Sequence, residues 1–102
     1  MSGDCASSPN HPSDYGDGES CTITALRDGR LDVQAFNTES CCDHLAVGGQ
    51  DYDGTTGPDG VTLVAGNNMQ WSSDAGRTRS GWQICLDSPT ALPNRRMRQS
   101  CH

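Results

Sequence analysis

The chain has 102 residues, enough for one domain and too few for two. Only 13 of these residues are Val, Ile, Leu or Phe, and the formal net charge is −6. That composition is typical of chains too polar to bury a large core. Six cysteines change the expectation, because cross-links lower the entropy of the unfolded chain. Their even number in so short a chain predicts a disulfide-stapled domain in an oxidising compartment.

Charge and hydropathy exclude two classes of partner. No segment is long and apolar enough for a transmembrane helix, so no membrane span is expected. Residues 1–92 carry a net charge of −9, and residues 93–102 carry +3. The negative charge of residues 1–92 argues against a nucleic-acid partner, despite the positive charge of residues 93–102. No signal peptide is visible before the first cysteine, so a secreted, extracellular or other oxidising-lumen location is inferred from the cysteines alone.

In chain order, residues 1–20 are polar and predict loops, and strand-like runs follow. These runs are Cys21–Arg27, Arg30–Phe36, His44–Val47, Val61–Ala65, Met69–Ser72 and Gly81–Leu86. Asp28-Gly29 and Gly66-Asn67 predict two-residue hairpin turns between the runs on either side of them. Gly48-Gly49 closes the third run. Short strands punctuated by Gly and Pro, with no helical period, predict an all-β fold, an antiparallel two-sheet β-sandwich.

Alternation within the runs predicts which residues form the core. Arg30–Phe36 places Leu31, Val33 and Ala35 on one face. Gly81–Leu86 directs alternate apolar residues inward and Cys85 to the opposite face. The expected shared core consists of Val33, Phe36, Leu45, Leu63, Trp71, Trp82 and Ile84.

Several segments together resemble a known family. They are Ser8–Gly16 (SPNHPSDYG), Glu19–Ile23 (ESCTI), Phe36–Glu39 (FNTE), Cys41–Val47 (CCDHLAV), Trp71–Asp74 (WSSD) and Gly81-Trp82. Their order and spacing resemble those of a CUB domain, an extracellular β-sandwich module. The resemblance implies a jelly-roll sandwich over residues 1–88. Residues 89–102 would then form a basic C-terminal tail or linker that carries one cysteine.

The resemblance also implies the family's first disulfide, between Cys5 and Cys21. The family's next disulfide has no counterpart, because its second cysteine would lie in the loop 48–60, which contains none. The framework is therefore expected to be a variant of the family pattern.

The remaining cysteines leave the pairing open. Cys41 and Cys42 are adjacent and are expected to be poorly placed to bond to each other. Cys85 lies on the outer face of its strand, so its bond is expected on the outside or rim of the sandwich. Cys85 would pair with Cys41 or Cys42, which leaves the other of the two for Cys101.

By the same resemblance, an acidic calcium site is expected in the loops. Glu39, Asp43 and Asp74 occupy the positions of the family's carboxylate ligands, and Tyr15 that of the tyrosine that supports one of them. Ca²⁺ binds six to eight oxygen atoms, and it offsets the repulsion among clustered carboxylates. The alternative is that these are unrelated surface acids in an acidic chain.

Other candidate sites have weaker support. Cys42 and His44 suggest zinc or a Cys–His nucleophile, but the cysteine is expected to be oxidised. Trp71 and Trp82 could stack on sugars, although inward positions on strands are more often core. No nucleophile-elbow motif occurs.

The sequence therefore predicts a non-catalytic extracellular recognition module. Its expected activity is calcium-dependent binding of an extracellular protein with basic side chains, as the resemblance implies. The alternatives are a secreted glycan-binding module and a structural subunit of a larger extracellular or lumenal assembly.

Overall fold

The computed structural model describes residues 5–76, 78–87 and 97–101, which form two antiparallel sheets. The strands are β1 (Cys5–Ser7), β2 (Ser20–Ala25), β3 (Gly29–Asn37), β4 (His44–Val47), β5 (Gln50–Tyr52), β6 (Thr62–Leu63), β7 (Asn68–Ser72), β8 (Gly81–Asp87) and β9 (Met97–Cys101). One sheet has the order β1-β8-β3-β6 and the other β5-β4-β7-β2-β9. The predicted all-β, two-sheet sandwich is confirmed. Within these ranges, no helix has the length and apolar character needed to cross a membrane.

The turn dipeptides mark reversals of the chain but not the pairing of strands. Gly48 and Gly49, with φ of 59° and 83°, join β4 to β5 in a hairpin. Both predicted hairpins at the other two dipeptides are wrong. Asp28-Gly29 leads from β2 to β3, and Gly66-Asn67 from β6 to β7, and in each case the chain passes to the opposite sheet. Because of these crossings, both sheets have an inner face of apolar residues. The two inner faces pack together and form the core.

A bulge in β3 changes which of its residues face inward. The register between β3 and β8 shifts between Val33 and Ala35. Leu31 before the shift and Phe36 after it are both buried, although they are separated by an odd number of positions. The extra residue of a bulge reverses the alternation in this way. The single inward face predicted for Leu31, Val33 and Ala35 holds as far as Val33, which lies opposite buried Ile84 and packs against the core, and is wrong at Ala35, which follows the shift.

The core lies between the two sheets. All predicted core residues are buried except Val33, which packs against the cluster from its edge. At its centre the rings of Trp71 and Trp82 meet edge to face, with centroids 6.0 Å apart. Tyr15, which belongs to a predicted loop, adds a third ring 4.9 Å from that of Trp71. Such contacts add stability beyond the buried area.

Two disulfides, Cys5–Cys85 and Cys21–Cys101, join strands that are neighbours in a sheet. The third, Cys41–Cys42, joins adjacent residues of one loop. Cys5 of β1 lies opposite Cys85 of β8, and Cys21 of β2 lies opposite Cys101 of β9. The implied Cys5–Cys21 bond is wrong, because β1 and β2 belong to different sheets.

The pairings expected for the other cysteines are wrong too. Cys41 and Cys42 bond to each other, so neither is left for Cys85 or Cys101. Cys85 does lie on the face opposite Trp82, as expected, but its partner there is Cys5.

The last strand extends the domain beyond its predicted end. The segment 89–102 was expected to be a tail or linker, yet β9 pairs with β2 along its whole length. Gln99 Nε2 also donates a hydrogen bond to the carbonyl oxygen of Ser7, at 2.6 Å. The two terminal strands therefore lie side by side. Residues 88–96 are outside the described part of the chain.

Removing a cross-strand disulfide should destabilise the domain far more than removing the adjacent pair. Each cross-strand bond joins residues 80 positions apart, whereas Cys41 and Cys42 have a separation of 1. Replacing both Cys5 and Cys85 by Ser is expected to cost about 2–5 kcal/mol in urea unfolding. The same change at Cys41 and Cys42 is expected to cost under about 1 kcal/mol. Peptide mapping without reduction checks the pairing, and a peptide that joins Cys5 to Cys21 would contradict it.

Truncating Trp82 should remove most of the stability of the domain. Its side chain is completely buried, so Trp82→Ala is expected to cost about 3–5 kcal/mol. Val64, which is 51% exposed, gives the control Val64→Ala, expected to change stability by under about 0.5 kcal/mol. Equal effects of the two changes on the denaturation midpoint would show that Trp82 is not part of the core.

Candidate functional site

The loops at one end of the sandwich carry the predicted acidic residues. Antiparallel pairing places the starts of β2 and β4 at the same end as the end of β7, and the start of β8 beside the end of β3. The loops that meet there contain Tyr15, Glu39, Asp43 and Asp74. We call this end of the sandwich the acidic end.

Asp43 is the buried centre of the acidic end, with no exposed surface. Its Oδ2 accepts a hydrogen bond from the Tyr15 hydroxyl at 2.6 Å, and its Oδ1 accepts one from the Asp74 amide at 2.8 Å. Its own amide donates to the carbonyl oxygen of Glu39 at 3.3 Å. One carboxylate thus fixes three separate loops relative to one another.

Tyr15 supports this arrangement from the core side. Its hydroxyl donates to Asp43 and accepts a hydrogen bond from the Glu39 amide at 3.1 Å. Burial, and then the hydrogen bond to Asp43, raise the pKa of Tyr15 well above its usual range. The hydroxyl therefore keeps its proton and remains a donor to Asp43 at any physiological pH.

Glu39 and Asp74 face a common space in front of Asp43. An atom at the Cβ position of Gly76 would lie 3.0 Å from Asp74 Oδ1 and 3.4 Å from Glu39 Oε1. Asp74 Oδ1 accepts a hydrogen bond from the Gly76 amide at 2.8 Å. Glu39 Oε1 is buried and has no hydrogen-bond donor among the described residues. A buried carboxylate oxygen without a donor is costly, and a bound cation would relieve that cost.

Cys42 completes a group of three side chains that could hold a metal ion. The ligand atoms of Glu39, Cys42 and Asp74 all lie within 4.8 Å of one another. The structure thus brings two of the predicted calcium ligands together and places the third, Asp43, behind them. From the sequence alone, Cys42 is a disulfide cysteine or, with His44, a weak zinc candidate. Its place in the sequence between Glu39 and Asp43, two predicted ligands, could have indicated that it belongs to this group.

Two other candidate sites are not assembled. Trp71 and Trp82 have no exposed surface, so they cannot form a platform for sugars. His44 begins β4 opposite Ser72 and is outside the group that contains Cys42.

Tyr15→Phe should destabilise the domain and change its alkaline unfolding. The loss of the donor to buried Asp43 is expected to cost about 1–3 kcal/mol. In the unfolded chain a tyrosine loses its proton near pH 10, whereas folded Tyr15 retains it. Stability should therefore fall as the pH rises above about 10, by about 1.4 kcal/mol per pH unit. The chain has no lysine, so few other groups titrate in this range.

The check is urea unfolding between about pH 8 and pH 11. Tyr15→Phe should remove most of the alkaline loss. The matched control is Tyr52→Phe, at a half-buried position on β5, which should preserve that loss. Identical pH profiles for the two variants would contradict the role assigned to Tyr15.

No family model, no curated protein and no solved structure matches this chain. The likeness to CUB domains therefore depends on the segments quoted from the sequence. The disulfide pairing departs from that likeness at Cys5 and Cys21, each of which bonds to a cysteine of the neighbouring strand.

Proposed function

We propose that this domain is a non-catalytic, extracellular recognition module that binds another protein in a calcium-dependent manner through the acidic end. In this proposal it is a CUB-like module with its own disulfide framework. The disulfides fit an oxidising environment, and secretion follows from them as part of the same proposal.

The observation that carries the proposal is the buried Glu39 Oε1, which has no donor among the described residues and faces the same space as Asp74 Oδ1. Both are carboxylate oxygens, which are the ligands that Ca²⁺ prefers. Glu39 and Asp74 would hold the ion, with Asp43 in support. The ion would supply positive charge where carboxylates otherwise repel one another.

The loops around this site are already ordered by the protein. Asp43 holds the Asp74 amide, and Tyr15 holds both Asp43 and the Glu39 amide. Because these bonds fix the loops in advance, less conformational entropy is lost when a partner binds.

The charge of the domain indicates the chemistry of the partner. Residues 1–92 have a net charge of −9, and the acidic end concentrates part of it on neighbouring loops. A Lys or Arg side chain would be attracted to this end, and complementary charge speeds association with the correct partner. The proposed partner is an extracellular protein that presents a basic side chain.

Calcium should stabilise the domain if Glu39 and Asp74 bind it. An ion that binds only the folded state adds about 2.7 kcal/mol at one hundred times its dissociation constant. For a domain of this size that corresponds to a rise of about 11–22 °C in the melting temperature. Differential scanning calorimetry with calcium and then with a chelator measures this rise.

Asp74→Asn and Glu39→Gln should each reduce the calcium-dependent rise. They are cleaner tests than Asp43→Asn, because an amide at Asp43 would place an NH₂ group against the donors from Tyr15 or Asp74. Asp87→Asn, an exposed position at the other end of β8, is the matched loss of charge and should leave the rise intact. A wild-type melting temperature that does not respond to millimolar calcium would contradict the proposal.

A further inference from the structure

The Cys41–Cys42 disulfide does not connect distant parts of the fold. It joins adjacent residues, so it removes little freedom from the unfolded chain. Cys41 is exposed and has a φ of 93°, a backbone conformation that is unfavourable for a residue with a side chain. A strained, exposed linkage that adds little to stability calls for another role.

The position of Cys42 indicates what that role is. Its sulfur lies in one group with the carboxylates of Glu39 and Asp74, with all ligand atoms within 4.8 Å of one another. As part of a disulfide the sulfur is a weak ligand. As a free cysteine it can bind a metal ion as a thiolate.

We propose that the Cys41–Cys42 disulfide is a redox gate on a mixed sulfur–oxygen metal site. Reduction by a dithiol frees Cys42 Sγ to bind Zn²⁺ together with Glu39 and Asp74. The dithiol supplies two electrons and becomes a disulfide, while the Cys41–Cys42 bond breaks and each sulfur takes a proton. The metal then displaces the proton from Cys42.

The oxidation state would select the kind of metal. With the disulfide closed, the carboxylates offer oxygen ligands alone, which suit Ca²⁺. With it open, the site offers one thiolate and two carboxylates, which are ligand types that Zn²⁺ accepts, and water would take the remaining position. Ligands of a tetrahedral zinc ion lie about 3.5 Å apart, so side-chain rotation has to close about 1 Å. Glu39 Oε1 is buried and lacks a donor among the described residues, so it is available for such a bond.

Opening this disulfide leaves the sandwich intact. The other two bonds hold the terminal strands β1 and β9 to their neighbours. Cys41 and Cys101 are both exposed, so a reductant can reach both of their bonds. Strand pairing keeps Cys21 opposite Cys101 and favours closing that bond again, whereas opening Cys41–Cys42 relieves the unfavourable backbone of Cys41. Cys41–Cys42 should therefore be the first bond to stay open.

This inference shares Glu39 and Asp74 with the proposed calcium site but does not require calcium to bind there. The two proposals can fail separately. If the melting temperature of the oxidised protein does not respond to calcium but the freed thiol binds zinc, only the calcium proposal fails. If the melting temperature responds to calcium but the freed thiol does not bind zinc, only the redox gate fails.

The sharpest test compares two variants that lose the same disulfide. Cys41→Ser leaves the thiol of Cys42 free, and Cys42→Ser leaves that of Cys41. Co²⁺ is the probe, because its bond to a thiolate produces a sulfur-to-metal charge-transfer band in the near ultraviolet. Cys41→Ser should show this band without any reductant and should bind Zn²⁺ at least about tenfold more tightly than Cys42→Ser in a chelator competition. Adding Glu39→Gln to Cys41→Ser should weaken the binding.

The wild-type protein gives an independent arm that needs no variant to fold. A limited amount of a water-soluble phosphine reduces part of the disulfides and is then removed under argon. Alkylation of an aliquot, followed by peptide mapping, identifies which disulfide has opened. The oxidised protein should show no charge-transfer band, and the band should appear once Cys41 and Cys42 are alkylatable. Equal metal binding by the two single variants, opening of Cys21–Cys101 first, or absence of the band after Cys41–Cys42 has opened would each overturn the proposal.

Discussion

The structure depends on two disulfides that each hold a terminal strand to its neighbour. Cys5–Cys85 fastens β1 at the edge of one sheet, and Cys21–Cys101 fastens β9 at the edge of the other. Each bond spans 80 residues, so in the chain-entropy view each contributes about 4.5 kcal/mol. That is a large part of the stability of a typical domain. It allows the sandwich to persist on a core with few large hydrophobic residues, and it leaves the loops free to carry charge.

Within that frame, Asp43 links the stability of the fold to the geometry of the acidic end. It is buried, and both of its carboxylate oxygens accept hydrogen bonds from other loops. The carboxylates of Glu39 and Asp74 are more exposed and accept fewer hydrogen bonds from the described residues. The end is thus divided into a buried support and a pair of carboxylates available to a ligand. Substitutions at Glu39 or Asp74 can therefore change ligand binding without changing the stability of the fold. A substitution at Asp43 changes both properties together.

Local patterns predicted the strands better than they predicted their partners. His44–Val47 and the inward face of β8 followed from residue type and alternation alone. The passage of the chain between sheets at Asp28-Gly29 did not, because a turn dipeptide specifies backbone shape and not which sheet the next strand joins. Disulfide pairing cannot be deduced from spacing, and it requires the register that brings Cys5 opposite Cys85. At the acidic end the sequence named the carboxylates, but only the fold shows Cys42 beside them.

The two disulfides that hold the terminal strands also limit how far the domain can be stretched. Two equally short covalent routes join Cys5 to Cys101, each of roughly 16 residues. One crosses the Cys5–Cys85 bond and follows the backbone from Cys85, and the other follows the backbone to Cys21 and crosses the Cys21–Cys101 bond. Even if every strand separated under tension, these two points could move apart by only about 60 Å, against about 330 Å for the open chain. A force applied at the two ends would bypass the long segment between Cys21 and Cys85. The domain would behave under load as a short, nearly inextensible link, and the acidic end, which belongs to the bypassed segment apart from Tyr15, would be shielded from the pull.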